Sequence, residues 1–169
     1  MLDRYGRTID YLRLSVTDRC NYQCRYCMPE TGAANRPHSE LLTAEACVEM
    51  AQAAINCGIR KIRLTGGEPL IRPELPDICR RIRALPGLEE LCLTTNGVLL
   101  PQMAPALRDA GVDRLTISLD TLREDRFAAM TRLGTLEKAL DGIRAAEAAG
   151  FRGLKLNTVL IGGFNEGIF

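Results

Sequence analysis

The sequence has no excess of charge of either sign. Its 22 Lys and Arg face 21 Asp and Glu, a formal net charge of +1, so the overall balance gives no reason to expect nucleic acid or an anionic membrane surface as partner. An anion site has to come from local placement. No run approaches the roughly 18 apolar residues a membrane span needs, and the start, Met1-Leu2-Asp3-Arg4, lacks the charged-then-apolar pattern of a signal segment. A cytoplasmic protein with no membrane partner is the simplest expectation. Low-complexity stretches and linkers are also missing, so 1–169 reads as one domain. With 46% hydrophobic and 25% charged residues it can bury a core.

Histidine is nearly absent: the only one, His38, stands eleven residues beyond Cys27. Cysteine is plentiful, yet the seven are an odd number and three of them crowd into eight residues. That excludes the regular framework of a secreted disulfide-rich domain. Cys47, Cys57, Cys79 and Cys92 are scattered singly along apolar segments, as expected for small buried hydrophobes.

After a polar loop over 29–42, Thr43 can cap a helix with Glu45 in its first turn, Val48, Ala51 and Ile55 on its apolar face and Gly58 as its stop. Further helices are predicted over 74–84, 102–110 and 136–149, with strands over 11–17, 61–65, 90–95, 113–119 and 153–161. Strands separated by helices imply right-handed crossovers and a parallel sheet, open or curled into a barrel. A sheet buried on both faces would read as continuous apolar runs, but these strands alternate. Leu12 and Leu14 flank Arg13; Ile62 and Leu64 flank Arg63; Leu91 and Leu93 flank Cys92, with Thr94 following. Leu115, Ile117 and Leu119 interleave with Thr116 and Ser118, and Leu154 and Leu156 flank Lys155. The pattern implies a curved sheet with helices on its apolar face and a polar, partly solvated cavity on the other.

In Cys20-Asn21-Tyr22-Gln23-Cys24-Arg25-Tyr26-Cys27 the thiols are separated by three and then two residues, just after a strand. Soft thiolates on a short loop suit an iron–sulfur cluster or zinc. Structural zinc wants a fourth ligand, for which His38 is poorly spaced. Three cysteines on a four-iron cluster leave one iron open to a small chelating ligand.

This spacing, with an aromatic before the last Cys and Gly66-Gly67-Glu68-Pro69 after the second strand, resembles the radical S-adenosylmethionine (SAM) superfamily. The likeness narrows with Tyr11-Leu12-Arg13-Leu14-Ser15-Val16-Thr17-Asp18-Arg19-Cys20, Cys27-Met28-Pro29-Glu30, Leu93-Thr94-Thr95-Asn96-Gly97 and Ser118-Leu119-Asp120. Together these resemble the GTP 3′,8-cyclase family of molybdenum cofactor biosynthesis, from Gly6 to about Asn165. The resemblance implies a partial (βα) TIM-type barrel of about five parallel strands. It implies a [4Fe-4S] cluster on Cys20, Cys24 and Cys27, SAM held by the Tyr26 backbone, Gly67 and Ser118, and GTP met by Arg13, Arg63, Thr94 and Lys155. No protein acid or base is implied; a 5′-deoxyadenosyl radical takes hydrogen from ribose C3′, and C3′ then attacks guanine C8. Independently, Arg13, Arg63, Thr94, Ser118 and Lys155 all fall on the polar parity of their strands, and three cations facing one cavity suit a polyphosphate.

The family carries later strands and a second cluster on a C-terminal cysteine set, neither of which follows Phe169. The expectation is therefore an incomplete chain that does not turn over GTP alone. Its last strand is left as an unpaired edge open to association, including as a homodimer. A reducing partner, flavodoxin-like or chemical, is expected as well. The competing readings are a relative acting on another anionic substrate and a non-catalytic iron–sulfur or zinc module.

Overall fold

The computed structural model describes residues 2–32, 37 and 40–166; His38 and part of the 29–42 loop lie outside the described residues. The chain runs β1 (Tyr11–Ser15), α1 (Ala44–Asn56), β2 (Lys61–Thr65), α2 (Leu75–Arg83), β3 (Glu90–Thr95) and α3 (Leu100–Asp109). It continues through β4 (Arg114–Ser118), α4 (Glu124–Thr131), α5 (Leu136–Ala148) and β5 (Lys155–Asn157). All strand pairs are parallel and the order in the sheet is the order in the chain. Sequential order with a helix crossing between neighbours is the winding of a (βα) barrel rather than of a doubly wound sheet. The fold is α/β, part of a TIM-type barrel.

The alternation of the strands decides which face the helices cover. Leu14, Ile62, Leu64, Leu91, Leu93, Leu115 and Ile117 form one core with Ile55, Ile78, Ile82 and Leu107 of the helices. Register keeps this parity aligned across the sheet: Leu14 pairs with Leu64, and Leu64 with Leu93. The other parity is aligned by the same rule, with Arg13 beside Arg63, Arg63 beside Cys92, and Thr116 beside Lys155. On α1, Thr43 accepts the Ala46 N–H at 3.1 Å as the N-cap. Cys47, Ala51 and Ile55 are the fully buried face of α1, with Val48 half-buried beside them.

Three expectations need correction. The strand predicted over 153–161 shrinks to three residues, because Gly153 turns the chain at a φ of +63° and Thr158 bends to donate its hydroxyl to the Leu119 carbonyl. Leu156, assigned to the apolar face, is 45% exposed: β5 is an edge strand, and no described helix follows to cover it. Cys57 is exposed while Cys47, Cys79 and Cys92 are buried, since it sits past the last turn of α1 as the C-cap. α4 is an element the periodicity did not reveal; it is eight residues long and has no side-chain N-cap.

Candidate functional site

The cysteine loop is an extension of the sheet. Beyond β1 and β2 the ladder continues with Val16 N–H on the Thr65 carbonyl at 2.9 Å, Gly67 N–H on Thr17 at 2.8 Å and Glu68 N–H on Arg19 at 2.7 Å. Backbone packs so closely here that a Cβ on Gly66 would lie 2.4 Å from the Thr17 carbonyl oxygen, and one on Gly67 2.1 Å from that of Arg19. The two glycines thus admit the cysteine loop itself.

Cys20, Cys24 and Cys27 line one cavity of about 260 Å³ together with Gly66, Gly67 and Glu68. Tyr22 N–H donates to Cys20 Sγ at 3.4 Å, and the Cys24 carbonyl accepts from Cys27 at 3.0 Å and Met28 at 2.9 Å, curling the last two cysteines into one turn. Burial first, then the neighbouring Cys27 and Cys20, pushes the Cys24 thiol up to about 12. Sulfurs gathered this closely on one loop are a donor set that soft cations would neutralise. Among the described residues no three His, Cys, Asp or Glu side chains are placed to hold a single metal ion, whereas the thiols on a four-iron cluster stand on separate irons. The residues present fit that cluster.

α4 supports the loop from the far side. Gln23 N–H and Arg25 N–H donate to the Thr131 and Met130 carbonyls at 3.2 and 2.9 Å. Arg132, the only described non-glycine residue at positive φ (+61°), sends its guanidinium to the Gln23 and Met28 carbonyls at 3.0 and 2.9 Å, spanning Cys24 and Cys27. The Tyr22 ring meets Phe127 edge-on, centroids 6.3 Å apart. Burial, followed by the charge of Cys24, raises the affinity of its phenol for its proton.

Two carboxylates, Glu68 and Asp120, stand in the same cavity. Glu68 is 1% exposed; its Oε1 accepts from Leu70 N–H and the Thr95 hydroxyl, and its Oε2 from Asn96 N–H. Burial pushes its carboxyl up against the pull of those three donors. Asn96 in turn donates to Asn21 of the cysteine loop at 2.7 Å. Asp120, past the end of β4, accepts from the Tyr26 hydroxyl at 2.9 Å. Only their distant partners single these acids out, so sequence carried no signal for them beyond their place in the motifs.

Of the other residues named from sequence, Tyr26, Gly67, Ser118, Arg13 and Thr94 all line the cavity. Arg63 does not reach its wall but is one hydrogen bond away: Nη1 donates to Thr94 Oγ1 at 3.2 Å and Thr116 Oγ1 at 2.6 Å, and Nε to the Tyr11 hydroxyl at 2.7 Å. These hydroxyls are neutral, so the guanidinium charge is held in place without being cancelled. Lys155 lies on edge strand β5, exposed, and is not brought to the cavity.

The arrangement has known counterparts. The chain is 54% identical to the GTP 3′,8-cyclase of Pelotomaculum thermopropionicum over 98% of its length. It is 54% identical to that of Geobacter sulfurreducens over 99%. It spans about half the length of the curated relatives it matches, 51% in both cases. The solved structure of HydG, a maturase of the FeFe-hydrogenase, superposes with a TM-score of 0.74 at 18% identity, covering 88% of this chain and 34% of that one. That likeness speaks for the fold alone. The family model described as the Radical SAM superfamily matches residues 14–168, a span that holds the cysteine loop, the glycine pair and all five strand ends. By that match this chain belongs to the radical SAM superfamily.

Proposed function

We propose that the chain is a [4Fe-4S]- and SAM-binding barrel segment of a GTP 3′,8-cyclase, a single domain over 1–169 that cradles the cluster and part of the GTP. Cys20, Cys24 and Cys27 hold the cluster, and the Tyr26 backbone, Gly67 and Ser118 meet SAM. When bound and reduced, that pair would supply a 5′-deoxyadenosyl radical able to take hydrogen from ribose C3′; closure of C3′ on guanine C8 would then leave a base radical to be quenched by one electron from the proposed reductant and one proton. What the protein contributes is placement: Arg13 and Thr94 reach the cavity, and Arg63, buttressed by three hydroxyls, offers its remaining N–H groups to an anion beside them. Lys155, exposed on β5 beside Thr116, is the further cation assigned to the triphosphate in this proposal.

One observation carries this reading: three thiols, the glycine pair and polar strand-end residues share one cavity, in a chain 54% identical to curated cyclases. Full turnover belongs to the longer protein in this proposal, which includes a cytoplasmic setting, a flavodoxin-like or chemical reductant and homodimeric association. Among the described residues no helix is long and apolar enough to cross a membrane. The test is anaerobic reconstitution with iron and sulfide, followed by EPR of the reduced protein with and without SAM and by GTP binding. A SAM-dependent change of the spectrum and GTP binding weakened by Arg63→Ala are expected. Bound zinc, or a spectrum indifferent to SAM, overturns the radical chemistry. A SAM response without GTP binding leaves the cluster and moves the substrate to another anion.

A further inference from the structure

Asp120 joins two loops that lie 94 and 39 residues from it along the sequence. Its carboxylate, on a residue 4% exposed, accepts from the Tyr26 hydroxyl at 2.9 Å through Oδ2 and from Val159 N–H at 2.9 Å through Oδ1. Its own carbonyl accepts from Asn165 Nδ2 at 2.8 Å; the same amide nitrogen donates to the Val159 carbonyl at 2.8 Å, while Asn165 Oδ1 accepts from Ile161 N–H at 2.7 Å. Asn165 is fully buried. The carboxylate therefore has only neutral donors, and among the described residues it joins no ion pair. A buried, acceptor-only group whose oxygens are each committed to one donor has no alternative geometry at low cost.

Tyr26 immediately precedes Cys27, and the residue is 42% exposed. A half-exposed tyrosine tied by its hydroxyl to a buried carboxylate has its backbone held from the far end of its side chain. We infer that Asp120 is a positioning residue: through Tyr26 it fixes the backbone that meets SAM, and through Val159 it couples that backbone to the loop after β5. This rests on the reading of Tyr26 as a SAM contact, and it assigns a task to Asp120 and Asn165 that the fold alone does not need.

The experiment compares Tyr26→Phe, Asp120→Asn and the double variant in the full chain. Tyr26→Phe removes one oxygen atom and leaves the ring; Asp120→Asn turns an NH2 toward one of two donors. Reconstituted variants are expected to hold as much iron as the parent while SAM affinity falls about tenfold, the worth of one lost hydrogen bond to a charged acceptor. The double variant should be no worse than Asp120→Asn alone, since both break one link. In metal-free protein, Cys27 alkylation followed by peptide mass spectrometry should quicken severalfold in Tyr26→Phe, a readout independent of SAM. Unchanged SAM affinity with unchanged Cys27 alkylation in Tyr26→Phe, or losses that multiply in the double variant, overturns the inference. A parent chain that takes up iron but never responds to SAM refutes the SAM contact, and the alkylation rates then decide the tether by themselves. Should Asp120→Asn fail to fold, the single-atom Tyr26→Phe comparison stands.

Discussion

Gly67→Ala should detach the cysteine loop from the sheet. The added Cβ would lie 2.1 Å from the Arg19 carbonyl oxygen, 2.5 Å from its carbon and 2.9 Å from the Asp18 carbonyl oxygen. All three are backbone atoms that no rotamer change can withdraw. Restoring ordinary contact means separating the two chains by roughly 1 Å, which takes the 2.8 Å bond from Gly67 to Thr17 and the 2.7 Å bond from Glu68 to Arg19 past useful length. At about 1 kcal/mol net for each, and about 1–3 kcal/mol more for any donor left buried and unpaired, the cost comes to about 3–5 kcal/mol, a large share of a domain's stability. Gly150→Ala is the control. That glycine has a φ of +85° and nothing within 4 Å of the added atom, so only the left-handed backbone is penalised, by about 1–2 kcal/mol. Urea unfolding of the metal-free proteins measures both, and iron content after reconstitution reads the loop. A Gly67→Ala chain within 1 kcal/mol of the parent and with full iron uptake would refute the close-approach argument.

The remaining predictions concern residues around the loop and the core. Arg132→Gly relieves the positive φ but releases the Gln23 and Met28 carbonyls; thermal stability of the metal-free chain should hold within about 1 kcal/mol, while the cluster is lost several times faster in air. Glu68→Gln sets an NH2 against one of three buried donors and should cost about 1–3 kcal/mol in urea unfolding at neutral pH. Among the scattered cysteines, Cys57 should alkylate at once, and Cys47, Cys79 and Cys92 only on unfolding. Burial pushes the Cys79 thiol up to about 12 from an ordinary 9.0, so between those values the native state holds the proton that the unfolded state releases. Stability must then fall as pH rises through that window, by on the order of 4 kcal/mol in all. Cys79→Ala should show a shallower slope than the parent in unfolding curves taken between about pH 8 and pH 11, the raised Cys24 thiol keeping part of it; an equal slope removes burial of Cys79 as a contributor.

The sheet was legible because its information is local. Alternation in 61–65 and 90–95 sets which side chains face the helices, and β2 and β3 fall where that pattern puts them. Once the parity is right, register carries it to the neighbouring strand, so Arg13, Arg63 and Cys92 line up without any further instruction. Period failed at the ends. β5 reads as a long strand in sequence, yet the Thr158 hydroxyl ties the chain to the Leu119 carbonyl and the Val159 N–H is taken by the Asp120 carboxylate, and a strand cannot continue when its next backbone donor is claimed by a side chain. α4 buries Phe127, Met130 and Thr131 at helical spacing, but one such turn in an eight-residue helix with no side-chain N-cap is shorter than the window that periodicity needs.

The site divides the same way. That Cys20, Cys24 and Cys27 come together in one cavity was legible, since close spacing on one loop is written in the sequence. Glu68, Asp120 and Arg132 were not, since each acts on a partner far along the chain: Glu68 on Thr95 and Asn96, Asp120 on Tyr26, Arg132 on Gln23 and Met28. What these pairs share is the cysteine loop or its immediate floor. A loop of eight residues carrying three thiols has too little apolar surface to hold its own shape; its geometry has to be imposed by strand ends and by α4. The cysteine motif therefore names the three thiols, while acids and a guanidinium from three separate elements specify where those thiols stand.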